Sequence, residues 1–98
     1  MAPPKLSPPE IEAALARLPG WTLANDKLHR EYRFADFVHA FGFMATASMV
    51  IETLGHHPEW SNVYDRVTVE LTTHDAGGVT AKDVELAGKL EEIARKLQ

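Results

Sequence analysis

The residues in this sequence that most suggest chemistry are three of its five histidines. His56 and His57 are adjacent and followed by Pro58, and His74 comes just before a glycine-rich loop. Imidazole has an unperturbed pKa near neutrality, so histidines held in a cleft can transfer protons or bind a metal. Pro58 biases His57 toward an extended conformation, at a point where side chains are easily aimed into a cleft. We therefore expect a functional site here, although spacing alone does not place all three histidines in one pocket.

A metal site is the alternative reading of the same residues. His56, His57 and His74 would resemble the three-histidine set of a catalytic zinc centre. Adjacent side chains usually diverge, however, and the sequence has no paired-histidine helical motif of the usual metalloenzyme type. The Gly77-Gly78 pair also lacks the lysine spacing of a phosphate-binding loop. The pattern therefore favours proton transfer without a metal.

Two carboxylates and two aromatic residues are further candidates for the site. Glu52 lies one helical turn before His56, so its carboxylate can approach that imidazole or the start of the loop. Asp83 follows Thr80 by three residues, which is also where an ordinary helix-capping carboxylate stands. Trp60 and Tyr64 can serve equally as core or as pocket wall, because each ring has an apolar body and a polar handle.

Composition and charge indicate a small soluble domain. With 98 residues, of which 45% are hydrophobic and 24% charged, the chain is predicted to form one domain, residues 1–98, with residues 1–6 as a flexible lead-in. A net charge of -4 argues against direct nucleic-acid binding. There is no cysteine for disulfides or thiolate chemistry. The start of the chain has no apolar signal segment, so we expect a cytoplasmic protein with no membrane association.

The first third of the sequence predicts a helix and a hairpin. Ser7 and Glu10 have the spacing of a capping box around two prolines, and Pro19-Gly20 would end the helix that they begin. Asn25-Asp26 tolerates the conformations of a tight turn between two short strands. On the second strand the predicted inward residues are Leu28, Tyr32 and Phe34, whereas His29 alternates with charged residues and is expected at the surface.

A long apolar helix is predicted from Phe37 to about Leu54, capped by Asp36 and ended by Gly55. The helical spacing that we assign to its inner side is Phe37, Phe41, Met44, Ser48 and Ile51. Its opposite side is apolar as well. A helix that is hydrophobic around most of its circumference needs a second cover, and in so small a domain this favours another subunit.

The last third predicts strands and a final helix. If the alternation after Asn62 were unbroken, four residues would face the core: Val63, Val67, Val69 and Leu71. A bend near Asp65-Arg66 would instead split the stretch into two strands. Thr80 opens a helix with Leu86 and Leu90 on its inner stripe. The sum is an α+β fold, one antiparallel sheet with helices on one face.

These residues together resemble one known family. Glu52, His56-His57-Pro58, Tyr64, His74 and Asp83 stand at the signature spacing of the pterin-4a-carbinolamine dehydratases. The phrases around them agree as well: residues 57–64 read HPEWSNVY, 73–75 read THD, and 41–44 read FGFM. The similarity runs from about Trp21 to the last helix. It implies a four-stranded antiparallel sheet with three helices packed on one face, assembled as a homodimer or homotetramer.

The resemblance also implies an activity. Members dehydrate 4a-hydroxytetrahydropterin to quinonoid dihydropterin, which regenerates the pterin after aromatic amino-acid hydroxylation. Here His56 and His74 would be the acid and base, in an order that the sequence leaves open, and His57 would bind the pterin or the leaving hydroxyl. Glu52 and Asp83 would orient or tune the imidazoles, and Pro58 and Trp60 would shape the site.

The resemblance implies a pterin as substrate, no metal or other cofactor, and a functional link to an aromatic amino-acid hydroxylase. Gly55 departs from the pattern, because some relatives have an acidic residue there. The alternative function is a non-catalytic binding module, since some animal relatives are also dimerisation cofactors of a transcription factor. The complete histidine set favours the enzyme, because a pure scaffold has no need of three aimed imidazoles.

Overall fold

The structure, a computed structural model, describes residues 2–98. These residues contain three α-helices, four strands and a short 3-10 helix at His74–Ala76. The helices are α1 (Pro8–Ala16), α2 (Phe37–Leu54) and α3 (Ala81–Leu97), and the strands are β1 (Thr22–Ala24), β2 (Lys27–Arg33), β3 (Glu59–Val63) and β4 (Arg66–Leu71).

The strands form an antiparallel sheet in the order β1-β2-β4-β3. Leu28 on β2 pairs with Leu71 on β4, and Tyr32 pairs with Val67, so the apolar residues of both central strands share one face. Helices α2 and α3 pack together over this face, and Ile11 of α1 joins the same core. The predicted α+β class is confirmed.

Local signals mark most of the boundaries as predicted. Ser7 and Glu10 form a reciprocal capping box at the start of α1. Asn25 and Asp26 turn the first hairpin with positive φ of 55° and 61°. Just before α1, Leu6 donates its backbone N–H to the Val79 carbonyl at 2.8 Å, which ties the lead-in to the loop before α3.

Val63 does not face the core, which corrects one of our predictions. A two-residue turn at Tyr64-Asp65 joins β3 to β4, and Val63 pairs with Arg66 across it. This turn reverses the chain where unbroken alternation would have continued, so Val63 falls on the outer face and is 59% exposed. Val67, Val69 and Leu71, which follow the turn, are buried as predicted.

The inner side of α2 is also different from the one that the spacing indicated. Ala40, Phe43, Ala47 and Ile51 are its buried residues. Of the predicted inner set only Ile51 is fully buried, and Met44 packs partly buried against the core. Phe37, Phe41 and Met49 are 48%, 56% and 66% exposed. Small alanines let α2 approach its neighbours closely, and a helix that is apolar all round gives no hydrophobic signal for choosing between its sides.

By length and composition alone, α2 meets the criterion for a membrane span, and it is the one helix in residues 2–98 that does. Of its 18 residues, 22% are buried inside the protein. Core helices of soluble proteins meet the same criterion.

A buried carboxylate ties α3 to the sheet. Oε1 of Glu91 accepts hydrogen bonds from Trp21 Nε1–H at 2.9 Å, from the Tyr32 hydroxyl at 2.6 Å and from Arg30 Nε–H at 3.2 Å. The Arg30 guanidinium also lies 4.3 Å from the centre of the Tyr32 ring. Burial, with the bond to Glu91, raises the pKa of the Tyr32 hydroxyl. No local pattern singled out Glu91, because its partners lie on distant parts of the chain.

Candidate active site

His56 is placed by the end of α2. Gly55 takes the left-handed conformation, with φ of 66°, and its N–H closes the helix onto Ile51 and Glu52. The chain then turns so that the His56 ring points toward the start of α3, where its Nε2 lies 2.5 Å from Asp83 Oδ1. Only 13% of the His56 side chain is exposed. The ring is therefore held in one orientation, and donation of Nε2–H to the carboxylate leaves Nδ1 as the free nitrogen.

Asp83 has two structural tasks at once. It is fully buried, and its Oδ2 accepts from the Thr80 backbone N–H at 2.9 Å, which completes a capping box at the start of α3. The same oxygen accepts from the Thr73 hydroxyl at 2.9 Å, and the Thr73 and Thr80 hydroxyls are 2.8 Å apart. The carboxylate is thus an ordinary helix cap and the partner of His56, and the two alternatives raised by the sequence are compatible.

His57 is on the open side of the same turn. Its ring is 62% exposed, and its Nε2 lies 3.5 Å from Glu52 Oε2. Sequence spacing allowed Glu52 to approach either His56 or the start of the loop. The structure places it near His57 in that loop, because the His56 ring is turned inward to Asp83. Pro58 then leads the chain into β3.

His74 follows β4 and begins the 3-10 helix. Thr73 forms an isolated bridge with Gly78, and Gly77 closes the loop with φ of 75°. The His74 ring is 79% exposed, and its Nε2 lies 3.1 Å from Glu59 Oε2. The other oxygen of Glu59 accepts from Lys27 Nζ at 2.7 Å. This Lys27 hydrogen bond is the main reason that the pKa of Glu59 is lowered, with His74 a smaller cause.

All three histidines line one cavity of about 370 Å³. The other residues around it are Ala2, Gly55, Thr72, Thr73, Asp75 and Lys82. Asp83 lies behind His56. Trp60 borders a different cavity, of about 220 Å³, and packs partly against the core beside its strand partner Val69. The structure therefore brings the predicted histidines together, and sets Trp60 apart from them.

Several polar residues around the site were not among the site residues predicted from the sequence. Thr73 and Thr80 complete the hydrogen bonds of Asp83, and Glu59 and Lys27 contact one another beside His74. Glu59 lies within the HPEWSNVY phrase, but its relation to Lys27 depends on strand order. A local pattern contains no information about which strands are neighbours, so this contact had no sequence signal.

Within residues 2–98, no group of three or more His, Asp or Glu side chains is arranged to hold a metal ion. The three histidines each turn a ring nitrogen to a different carboxylate: Asp83, Glu52 and Glu59.

Comparison with known proteins identifies the family. A family model described as pterin 4 alpha carbinolamine dehydratase matches residues 4–93. The chain belongs to the pterin-4a-carbinolamine dehydratase family. This is a family of hydro-lyases, and the resemblance drawn from the sequence motifs is confirmed.

Individual relatives match over almost their whole length. A protein of Solibacter usitatus, provisionally named a pterin-4-alpha-carbinolamine dehydratase, is 61% identical over 90 residues, covering 92% of this chain and 95% of its own. A relative in Rhizobium rhizogenes with the same provisional name is 53% identical over 94 residues, which are 94% of this chain and 93% of that protein.

A solved structure shares the fold. The crystal structure of a transcriptional coactivator/pterin dehydratase from Brucella melitensis superposes with a TM-score of 0.89 at 44% identity. The match covers 92% of this chain and 98% of that one. The sheet and helices described above therefore have the same arrangement as those of the Brucella melitensis protein.

Proposed function

We propose that this protein dehydrates 4a-hydroxytetrahydropterin to quinonoid dihydropterin by histidine acid–base catalysis. The observation that carries the proposal is the cavity of about 370 Å³ into which His56, His57 and His74 converge. Family membership supports the substrate, and the chemistry of the imidazoles supports the reaction.

The reaction needs two proton transfers. An acid gives a proton to the 4a-hydroxyl, the C4a–O bond breaks, and water leaves. A base takes the proton from N5, and the electron pair of that N–H bond forms the C4a=N5 double bond. No electrons pass to or from an external carrier, so the proposed chemistry calls for no redox cofactor. Imidazoles can make both proton transfers without a metal, and the pterin is the substrate.

The residues have distinct proposed roles. His56 and His74 are the acid–base pair. His57, whose ring nitrogen lies farther from its carboxylate than that of the other two, binds the leaving hydroxyl or the pterin. Asp83 orients His56, and Glu52 lies close enough to His57 to do the same. Pro58 sets the path from the histidine pair into β3, and Trp60 contributes indirectly by anchoring that strand.

Alanine variants of His56 and His74 test the proposal. Each is expected to lower kcat by at least about a hundredfold, the usual contribution of one general acid or base. The measurement is stopped-flow absorbance of quinonoid dihydropterin formation from freshly generated 4a-hydroxytetrahydropterin, in metal-free buffer.

His39→Ala is the matched control, because His39 also lies beside a carboxylate, 2.6 Å from Asp36, but outside the cavity. It should keep the wild-type rate. A wild-type protein that is no faster than the spontaneous reaction would remove the dehydratase proposal altogether.

The proposed setting is pterin recycling in the cytoplasm, after an aromatic amino-acid hydroxylase has produced the 4a-hydroxypterin. The protein would need no contact with nucleic acid or membrane for this task.

A homodimer or homotetramer is proposed as the working assembly. Helix α2 presents Phe37, Phe41 and Met49 to the outside, and the Phe37 and Phe41 rings lie 5.9 Å apart. So apolar a face is typical of a contact with another chain. The Brucella melitensis protein is described as a transcriptional coactivator as well as a pterin dehydratase, so binding of a dimerisation partner is a second candidate function for the same surface.

Replacing Phe41 with aspartate tests the assembly. The charge would be desolvated at an α2–α2 contact, so the variant is expected to sediment as a smaller species than wild type at equal concentration. Val63→Asp is the control, because Val63 is similarly exposed but lies on the outer face of the sheet. Identical sedimentation of wild type and Phe41→Asp would contradict an interface through α2.

A further inference from the structure

Three side chains from separate elements meet at one end of the sheet. Lys27 is the first residue of β2, Glu59 is the first residue of β3, and His74 begins the 3-10 helix. Glu59 accepts from Lys27 Nζ at 2.7 Å with one oxygen and lies 3.1 Å from His74 Nε2 with the other. The two contacts join Lys27, Glu59 and His74 into a continuous chain.

The sheet order explains how Lys27 reaches Glu59. Strands β2 and β3 are not neighbours, since β4 lies between them. Glu59 pairs with Glu70 on β4, and Leu28 pairs with Leu71, so β4 ends at the level where Lys27 begins. Lys27 therefore extends over the end of β4 to Glu59, and His74 lies just beyond that same end of the strand.

His74 needs such a contact to be held in place. Its ring is 79% exposed, so packing fixes it far less than it fixes His56, which is 13% exposed and bonded to a buried carboxylate. His74 also borders a second cavity of about 260 Å³, whose lining includes Lys27. Lys27 thus lies beside His74 at a cavity that His56 does not line.

We propose that Glu59 is a positioning residue for His74 and that Lys27 holds Glu59 in that position. Glu59 accepts Nε2–H of the neutral His74 ring, which leaves the Nδ1 lone pair as the group that takes a proton. This proposal rests on the proposed function and assigns His74 the part of the base. Neither Lys27 nor Glu59 has to touch the substrate.

Kinetics of Glu59→Ala test the proposal, with Glu70→Ala as the matched control. Glu70 is the strand partner of Glu59, is also paired with a histidine, His29 at 3.2 Å, and does not contact His74. Glu59→Ala is expected to lower kcat about three- to fivefold with KM little changed, the rate equivalent of an exposed charge pair. Glu70→Ala should keep the wild-type kcat.

Three further variants separate positioning from general stability. Lys27→Met should reproduce part of the loss, and Lys27→Arg should restore the rate, because a guanidinium can also bind the Glu59 carboxylate. In a His74→Ala background, Glu59→Ala should cause no further loss. An equal kcat for Glu59→Ala and Glu70→Ala, or an undiminished Glu59 effect without His74, would overturn the proposal.

The tautomer of His74 gives a readout that does not depend on activity. The ¹⁵N NMR shifts of the neutral ring should show the proton on Nε2 in wild type and a larger fraction on Nδ1 in Glu59→Ala. An unchanged tautomer in Glu59→Ala would overturn the positioning role. Failure of the dehydratase proposal would be seen separately, as a wild-type protein with this tautomer and no activity.

Discussion

Replacing Asp83 with asparagine is expected to lower kcat/KM by about a hundredfold to a thousandfold, with a loss of only about 1 kcal/mol in the free energy of unfolding. The amide oxygen can still accept from Thr80 N–H and the Thr73 hydroxyl, so the start of α3 keeps its cap. The amide NH2 would then face His56 Nε2, where the carboxylate now accepts. The imidazole has to move its single proton to Nδ1, and no carboxylate remains at Nε2 to stabilise the second proton that His56 must carry as the acid.

The matched control is Glu10→Gln in the capping box of α1. Both helices begin with the same reciprocal arrangement, Ser7 with Glu10 and Thr80 with Asp83, but only the second contacts a histidine. Glu10→Gln should leave the dehydration rate unchanged. The measurements are stopped-flow dehydration and urea unfolding for both variants. An Asp83→Asn protein within threefold of the wild-type rate would mean that the His56 tautomer is irrelevant to the reaction.

Replacing Glu91 with alanine is expected to lower the free energy of unfolding by about 3–5 kcal/mol. The Trp21 indole N–H and the Tyr32 hydroxyl would lose the oxygen that accepts them, and both residues are buried. Arg30 would lose its carboxylate partner while still stacked near the Tyr32 ring. Since a domain of this size has a total stability of only about 5–15 kcal/mol, a large part of it depends on this one carboxylate.

Glu92→Ala controls for the loss of a glutamate from α3, because Glu92 is the next residue and is exposed. Urea unfolding followed by circular dichroism should show a small change for Glu92→Ala and a much lower midpoint for Glu91→Ala. Glu91→Gln should be intermediate, because the amide oxygen can still accept from Trp21 and Tyr32. Equal midpoints for the two alanine variants would refute the idea that this network holds α3 on the sheet.

The ends of elements could be predicted well from the sequence because those signals are local. A cap needs only the residues three apart that form it, as with Ser7 and Glu10, and a left-handed turn needs only a residue that tolerates it, as with Gly55 or Asn25. Alternation likewise identified the inner residues Leu28 and Tyr32 on β2.

Predictions that depended on tertiary partners were less reliable. The side of α2 that faces the core is chosen by the fit of Ala40 and Ala47 against neighbouring elements, and Phe41 is left outside. Hydrophobicity cannot make that choice when every side of the helix is apolar. Val63 was misplaced for a similar reason, since one turn residue more or less exchanges the two faces of a strand.

The proposed functional residues divide in the same way. The histidines and Asp83 could be found from type and spacing, together with the family resemblance. The environment of each ring could not, because Thr73, Glu59 and Lys27 reach the site from parts of the chain up to 47 residues from His74.

The double duty of Asp83 affects how related sequences should be interpreted. A descendant of this fold that lost catalysis and kept only a binding role would still need a carboxylate at this position, because Asp83 caps the first turn of α3. Retention of the aspartate is therefore poor evidence that a relative is an enzyme. His74 has no such structural task, its ring being 79% exposed, so it is free to change once the chemistry is lost. Given the role proposed for His74, the histidine is the more informative residue for distinguishing active from inactive members in a survey of relatives.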